Sequence, residues 1–316
     1  MPIPDSRDPI PGPVLRYAYN TNGTAHHRLG DALAFIADAG YDGVALTLDV
    51  HHLDPFAPDF PAAARALGAR LRALGLGLVV ETGARYLLDP RQKHEPTLVT
   101  ADPAGRARRV DFLRRCLDVC AECGGETVSF WAGVPRPGVG LDEAWRWLVD
   151  GVAQVVALAA ERGVRASLEP EPGMLVETTA DYFLLRSALG EHGPALRLAL
   201  DTGHCLVTGD QDPADAVRAC AADLGTVAVE DMRRGVHEHL PFGEGDMDTA
   251  SVLRALADVG YDRLVTVELS RDSHRAHEMV PRALAYLKGR ESGPGNREWG
   301  AASRSDSRFP GPDSRP

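Results

Sequence analysis

Eight short apolar runs alternate with longer amphipathic segments along this chain. The runs are LRYAY, GVALTL, LGLVVE, ETVSFW, VRASLE, LRLALD, GTVAVE and LVTVEL. They are rich in Val and Leu and almost continuously apolar, as strands buried on both faces should be. The segments between them, such as DALAFIADAG and FPAAARALGARLRALG, have the apolar spacing of helices. Strict alternation predicts a parallel sheet, and eight strand-helix units predict an α/β fold that closes into a single (β/α)8 TIM barrel.

A doubly wound open sheet is the main alternative fold. It would need a Gly-rich phosphate-binding turn after an early strand, and no GxGxxG is found there. We therefore expect one barrel domain over residues 14–290. Residues 1–13 are rich in proline, and residues 291–316 are polar and rich in Pro, Gly and Ser. Both stretches predict disordered tails.

The charge and the cysteine count restrict the class of protein. The net charge is -11, and an acidic surface repels phosphates, so neither nucleic acid nor an anionic membrane is an expected partner. No apolar run approaches the ~20 residues of a membrane span, and the N-terminus lacks the layout of a secretory signal. Five cysteines, an odd number, are typical of reduced thiols. We therefore expect a cytoplasmic protein.

Carboxylates follow five of the predicted strands at the end where such a barrel carries its active site. These are Glu81 after the third strand, Glu169 after the fifth, Asp201 after the sixth, Glu230 after the seventh and Glu268 after the eighth. Several carboxylates meeting at a poorly solvated barrel mouth would repel one another. A divalent cation is the simplest compensation. We expect Glu169, Asp201 and Glu268 to hold one.

Other polar residues near the strand ends are candidates for substrate contact. They are Asn20, His52, Arg85, Lys93, His94, Trp131, Glu171 and His204. His237 and His239 lie in a glycine-rich loop predicted to cover the mouth. Arg85 suits a carboxylate or a phosphate, because a guanidinium pairs well with both. Trp131 suits the face of a sugar ring.

Four motifs together resemble the xylose-isomerase-like TIM-barrel family. They are LeuGluProGluPro after the fifth strand, LeuAspThrGlyHis after the sixth, ValGluLeu at the eighth and a loop ending in GlyGluGly. The resemblance covers roughly residues 15–290. That family contains sugar phosphate isomerases and epimerases, ketose 3-epimerases, hydroxypyruvate and inosose enzymes, and the class IV apurinic endonucleases.

The resemblance implies a role for each of four strand-end residues. Glu169 is similar to the metal-ligating carboxylate that also serves as acid and base. Asp201 is similar to the metal ligand of the sixth strand. Glu268 is similar to the ligand of the eighth strand and second acid/base residue. His204 is similar to the histidine that contacts a substrate hydroxyl or carbonyl.

The seventh strand departs from the family pattern. Family members usually carry His-x-x-Asp there, and that His is the remaining metal ligand. Here the segment reads Ala228-Val-Glu230-Asp231. Glu230 is two residues beyond Ala228 and therefore points to the same face, nearer the mouth. We expect Glu230 or the loop residue His237 to complete the shell, unless the metal is bound weakly or lost. Mn or Mg is favoured, with Co or Zn as further options, since losing an imidazole weakens the case for zinc.

The resemblance implies a metal-dependent isomerase or epimerase of a sugar, a sugar phosphate or a polyol-derived ketone. Glu169 or Glu268 would remove a proton beside a carbonyl to give an enediolate, and the opposite or the same carboxylate would return it. Three alternatives stay open: a lyase acting on an oxidised glycoside, a phosphodiester hydrolase of the endonuclease IV type, and a non-catalytic sugar-binding relative. A carbohydrate is the expected partner. Because such barrels often pair, a homo-oligomer is a further option.

Overall fold

Eight parallel strands close into a barrel in the computed structural model, which describes residues 14–291. The barrel strands are β1 (Arg16–Asn20), β2 (Gly43–Thr47), β3 (Gly77–Glu81), β4 (Thr127–Trp131), β5 (Arg165–Glu169), β6 (Leu196–Asp201), β7 (Leu224–Val229) and β10 (Leu264–Val267). Neighbouring strands pair in parallel, and β1 closes the barrel by pairing with both β2 and β10. The predicted TIM barrel is confirmed. The predicted tails lie outside the described residues, apart from Glu291.

Helices connect the strands and cover the outside of the barrel. They are α1 (Leu29–Ala39), α2 (Phe60–Leu74), α3 (Pro103–Cys123), α4 (Leu141–Glu161), α5 (Thr179–Ala188), α6 (Thr202–Thr208), α7 (Pro213–Cys220), α8 (Thr249–Asp258) and α9 (Ala276–Glu291). Gly40 and Gly75 end α1 and α2 at φ values of 90° and 69°, which a residue without Cβ adopts at little cost. In the part of the chain that the structure describes, no helix has the length and apolarity needed to cross a membrane.

The interior of the barrel changes from apolar to polar along the strands. Side chains alternate between the two faces of a strand, so Ala18, Ala45, Val79 and Leu264 share the inner face and form a buried apolar cluster of their own. Two residues further along the same strands lie Asn20, Thr47 and Glu81, and two beyond Thr266 lies Glu268. The apolar cluster therefore fills the lower part of the barrel, and the polar residues line its interior at the carboxyl ends of the strands.

The segment after β7 forms a hairpin where the sequence predicted a loop. Its strands β8 (Asp231–Arg233) and β9 (Val236–Leu240) pair antiparallel. The Asp231 carboxylate fixes the base of the hairpin by accepting the backbone N–H groups of Gly243 (2.8 Å) and Met247 (2.9 Å). In β9, His237 and His239 are two residues apart and share one face. This face lies over the mouth of the barrel, where the ring centroid of His237 is 4.8 Å from that of His204.

Candidate active site

A cavity of about 310 Å³ opens at the carboxyl end of the barrel. It brings together eight of the residues predicted for the site: Asn20, Arg85, Trp131, Glu169, Glu171, His204, His237 and Glu268. The other lining residues include Asn22, Thr47, Glu81, Lys93, His94 and His239. The strand-end residues therefore meet where the barrel architecture predicts an active site.

Asp201 ends β6 and is only 2% exposed, so it does not line the cavity itself but lies behind the lining residue His204. One carboxylate oxygen, Oδ1, caps helix α6 by accepting the N–H groups of Gly203 (2.8 Å) and His204 (3.3 Å). Burial opposes ionisation of this group, but the His204 and His239 imidazoles outweigh it and lower its pKa. The second oxygen, Oδ2, is buried and has no hydrogen-bond partner. An ionised, buried oxygen without a donor suits a cation.

Two glutamates face the cavity from different strands. Glu268 follows β10, and its two oxygens accept the side-chain amides of Asn22 (2.8 Å) and Asn20 (3.4 Å). Glu169 ends β5, and its Oε2 accepts the Ser129 hydroxyl (3.4 Å). Burial, followed by the charges of other carboxylates, raises the pKa of Glu169 well above its ordinary value. The protonated form of Glu169 is therefore favoured relative to a solvent-exposed glutamate, and a nearby positive charge would oppose this shift.

His204 presents one ring nitrogen to the carboxylates. Its Nδ1 lies 3.0 Å from the Pro170 carbonyl and donates to it, which leaves Nε2 with a lone pair in the neutral ring. Nε2 is 3.5 Å from Asp201 Oδ2 and 3.8 Å from Glu171 Oε2. Burial would lower the pKa of His204, but these two carboxylates raise it above its ordinary value.

The hairpin adds two imidazoles from above. His237 Nε2 lies 3.2 Å from His204 Nε2 and 3.7 Å from Glu171 Oε1. Burial, with the neighbouring imidazoles, lowers the pKa of His237 to about 4, so this ring is neutral at pH 7. His239 Nε2 lies 4.0 Å from Glu268 Oε1, while its Nδ1 is buried without a hydrogen-bond partner.

Metal-ligating atoms converge in three overlapping groups, each with its atoms within 4.8 Å of one another. The groups are Glu169, Asp201 and His204; Asp201, His239 and Glu268; and His204, His237 and His239. Carboxylate oxygens suit Mg and Mn, whereas imidazole nitrogens also suit Zn and Co. With the unpartnered oxygen of Asp201, this donor set fits a divalent cation.

Glu230 lies behind the cavity and does not line it. It is fully buried, and its carboxyl group occupies the space beside Gly203, where an added Cβ would collide with it. Burial and the Asp201 charge raise its pKa well above the ordinary value. Neither oxygen has a hydrogen-bond donor, so the neutral, protonated form is favoured over a buried charge without a partner. Glu230 as a metal ligand stays a prediction.

His52 is the predicted substrate contact that the structure places away from the site. Its Nε2 lies 3.2 Å from the His27 carbonyl, and its side chain does not line the cavity. Burial lowers its pKa.

Trp131, by contrast, lines the cavity. Its ring packs edge-on against His94 at 5.4 Å between centroids, and the Arg109 guanidinium lies 4.3 Å from its centre. Trp131 therefore has a fixed orientation.

Glu81 and His239 line the cavity, although neither is among the ligands or substrate contacts predicted from the sequence. Glu81 lines the cavity, and burial together with the Glu268 charge raises its pKa to about 8. Its position as the last residue of a strand was the available signal. For His239 the signal was the His-x-His spacing, which puts it on the face of His237 if the segment is extended. This signal applies only to an extended segment, and the sequence predicts a loop here.

The chain is similar to known proteins over most of the barrel. Residues 33–290 match the family described as xylose isomerase-like TIM barrel. An L-ribulose 3-epimerase of Mesorhizobium japonicum is 27% identical over 247 residues, which cover 75% of this chain and 74% of that protein. An inosose dehydratase of Clostridium perfringens is 25% identical over 166 residues, covering 46% of this chain and 55% of that protein.

A solved structure gives the same fold. The IolI protein, crystallised with a zinc atom, superposes with a TM-score of 0.70 at 17% identity and covers 88% of this chain and 98% of its own. At that identity the likeness concerns the fold alone. The family match spans more than half of the chain and includes every motif of strands β5 to β10. This protein belongs to the xylose isomerase-like TIM barrel family.

Proposed function

We propose that this protein is a divalent-metal-dependent epimerase or isomerase of a sugar or a sugar-derived ketone. One observation carries the proposal: Glu169 and Glu268 enter one cavity from strand ends three positions apart around the barrel, with Asp201 between them in strand order. Two carboxylates on different sides of a bound sugar can act on opposite faces of the same carbon. The 27% identity to an L-ribulose 3-epimerase agrees with this chemistry.

The oxygen ligands in this proposal are Glu169, Asp201 and Glu268. His239 is the nitrogen ligand, because its ligand atom lies within 4.8 Å of those of Asp201 and Glu268. It thereby takes the place left by Ala228, which pairs with Asp201 on the neighbouring strand and has no donor atom in its side chain. When bound, the cation polarises a substrate carbonyl and its adjacent hydroxyl and acidifies the neighbouring C–H.

Glu169 and Glu268 transfer the proton. One of them takes the proton from the carbon beside the carbonyl, and the substrate becomes an enediolate. The other returns a proton to the opposite face in an epimerisation, or a single carboxylate moves the proton between carbons in an isomerisation. Asn20 and Asn22 orient Glu268 through their amide groups, so this base acts from a fixed position.

The remaining residues of the cavity position the sugar. His204 and Glu171 supply hydrogen-bonding atoms beside the ligand cluster, and the rigidly held Trp131 supplies an apolar wall. Asn20 and Arg85 complete the polar lining. We keep His52 as a proposed substrate contact only for a ligand that extends beyond this cavity, because its side chain lies outside it.

A lyase is the second candidate, because an inosose dehydratase is 25% identical to part of this chain. A dehydratase removes the same kind of proton next to a carbonyl and then expels water from the adjacent carbon. Product analysis separates the two reactions. Loss of one water from the product supports the lyase, and an unchanged mass with inverted or relocated stereochemistry supports the epimerase.

A phosphodiester hydrolase is the third candidate, because the site contains a group of three imidazoles. His204, His237 and His239 offer a third set of ligand atoms, and a multinuclear zinc site would use such a set. A single bound metal per chain supports the epimerase. About three zinc ions per chain, with cleavage of DNA at abasic sites, would favour the hydrolase. Ligand binding without turnover at any metal concentration would favour a non-catalytic sugar-binding protein.

The test of the proposed function is C–H exchange in deuterated water. Metal-loaded protein is incubated with a panel of ketoses, and deuterium at the carbon next to the carbonyl is followed by NMR. Glu169→Gln and Glu268→Gln should each remove most of the exchange. Glu191→Gln is the matched control, because Glu191 is exposed just before β6, at the opposite end of the barrel. Full exchange in both site variants would contradict the assignment of Glu169 and Glu268 as the residues that transfer the proton.

Location and assembly also belong to the proposal. The five cysteines are free thiols in the described structure, which agrees with a reducing cytoplasm. The acidic net charge of -11 argues against nucleic acid and membrane as partners. A homo-oligomer is tested directly by sedimentation velocity.

A further inference from the structure

A second, larger cavity adjoins the candidate active site. Its volume is about 840 Å³, and it shares Arg85, Lys93 and Ser270 with the first cavity. The other lining side chains come from the loops after β1, β2 and β10, among them His26, Arg28, His51 and Arg271. We call this cavity the basic vestibule. A ligand that fills the catalytic cavity can extend into the vestibule past Arg85 and Lys93.

The two adjoining cavities carry opposite charges. The catalytic cavity is lined by the carboxylates of Glu81, Glu169, Glu171 and Glu268. Among the described residues that line the vestibule, four are Arg or Lys, three are His, and none is Asp or Glu. The whole chain has 45 acidic and 34 basic residues. The vestibule therefore differs from the chain as a whole, in which acidic residues outnumber basic ones.

The cations at the junction have no carboxylate of their own. Within residues 14–291, no salt bridge or side-chain hydrogen bond is formed by Arg85, Lys93 or Arg28, whereas Arg271 pairs with Glu238. The pKa of the neighbouring His94 responds to these positive charges. It is lowered to about 4 by burial and then by the positive charges of Lys93, Arg109 and Arg85. An unneutralised positive field at a cavity mouth attracts anions.

The backbone of the loop after β3 holds Arg85 at this junction in an uncommon conformation. Ala84, Arg85 and His94 have φ values of 33°, 38° and 69°, although none is glycine. His94 Nδ1 lies 2.6 Å from the Gly83 carbonyl and closes the two ends of the loop on each other. Left-handed backbone in residues with a Cβ is unfavourable and collects at ligand-binding sites.

We propose that the basic vestibule binds a phosphate monoester at the end of the substrate away from the reacting carbons. The substrate class is then a phosphorylated ketose. Its carbonyl end lies among the carboxylates and its phosphate lies between Arg85 and Lys93. A phosphate dianion matches two unpaired cations better than a single carboxylate does. This inference rests on the proposed function for the orientation of the sugar.

Equilibrium binding tests the proposal without requiring turnover. The metal-loaded, full-length protein is titrated calorimetrically with D-ribulose and with D-ribulose 5-phosphate, and inorganic phosphate serves as competitor. The phosphate ester should bind roughly 10- to 100-fold more tightly than the ketose, as expected for hydrogen bonds between charged groups. Inorganic phosphate should weaken binding of the ester and leave binding of the ketose unchanged.

Substitutions locate the anion site. Arg85→Gln and Lys93→Gln should each reduce the ratio of the two affinities about 10-fold. Arg91→Gln is the matched control, since Arg91 lies in the same exposed loop and lines neither cavity. Lys93 is exposed, so its variant keeps the test valid if Arg85→Gln fails to fold. A melting temperature for each variant checks the fold.

Three outcomes would overturn the proposal. They are equal affinity for the ketose and its phosphate, loss of both affinities by the same factor in Arg85→Gln, and tighter binding of a ketose with a terminal carboxylate. Tighter binding of abasic duplex DNA that depends on Arg85 and Lys93 would also overturn it, in favour of a phosphodiester ligand. A protein that shows the affinity ratio but no C–H exchange supports the vestibule and contradicts only the proposed function.

Discussion

His239 Nε2 lies 4.0 Å from Glu268 Oε1, although the two residues belong to separate elements of the fold. Glu268 follows barrel strand β10, and His239 belongs to hairpin strand β9, which is not part of the barrel. On β7 the inward position that pairs with Asp201 is Ala228, which offers no ligand atom. The hairpin thus supplies an imidazole to a cluster of strand-end carboxylates from above.

The first prediction concerns this imidazole as a metal ligand. His239→Ala should lower the affinity for Mn²⁺ and Zn²⁺ by at least ~10-fold, because the cation loses the nitrogen that lies with the oxygens of Asp201 and Glu268. Adding Ala228→His to this variant should restore affinity, since the new imidazole enters on β7. Calorimetry and the absorption spectrum of the Co²⁺ form measure both effects.

His237→Ala and Glu230→Ala provide the comparison for His239. If His239 is the ligand, these two variants keep most of the affinity. If Glu230→Ala or His237→Ala removes the affinity and His239→Ala does not, then the residue expected from the sequence is the ligand and our assignment of His239 is wrong.

The second prediction concerns pH and the metal-free protein. Burial and the Glu268 charge raise the pKa of Glu81 from 4.5 to about 8. A carboxyl group whose pKa is higher in the folded state binds more protons there. Its contribution to stability is therefore fully present below pH 4.5 and is lost as the pH rises through about 8. Glu169, Glu171 and Glu230 shift in the same direction.

Thermal denaturation in the presence of a chelator measures this effect. The melting temperature of the metal-free protein should fall between pH 5 and pH 8, and Glu81→Gln should make it fall less. Glu191→Gln, at the other end of the barrel, should keep the wild-type slope. A melting temperature that is constant or rising over this interval would contradict the raised pKa values.

The third prediction concerns removal of the metal. A cation that binds only the folded protein stabilises it by about 2.7 kcal/mol at a concentration 100-fold above its Kd. For a domain of this size the change in melting temperature is roughly 5 °C or more. Chelation should remove this stabilisation, and the difference should be larger at pH 8 than at pH 5, because protons compete for the same carboxylates. A difference that does not change with pH would contradict a carboxylate site.

The fourth prediction concerns the base of the hairpin. A Cβ at Gly245 would lie 2.5 Å from the Met232 carbonyl oxygen, which is backbone and cannot rotate away. Gly245→Ala should destabilise the protein by roughly 1–3 kcal/mol and should weaken metal binding, because the hairpin carries His239. Gly30→Ala is the matched control, since a Cβ there meets nothing within 4 Å. Unchanged metal affinity in a folded Gly245→Ala protein would contradict a role of the hairpin in metal binding.

The sequence alone determined the barrel and the strand-end carboxylates. Strands buried on both faces are read directly from continuous apolar runs, and the regular alternation of side chains fixes which residue reaches the mouth. This rule identifies Glu169 and Asp201, which end their strands in register with a neighbouring strand, and Glu268, which directly follows β10. These features depend on local spacing and on hydrogen bonding between adjacent strands.

Only the tertiary structure decided what happens beyond the strand ends. Glu230 and Glu268 close their strands in the same way, yet Glu230 turns behind Asp201 into the space beside Gly203, on another element. His239 reaches the site because the segment after β7 pairs with itself as a hairpin. The basic vestibule joins loops that follow four different strands. Each of these outcomes depends on contacts between residues far apart in the chain, which the spacing of residues along one segment does not encode.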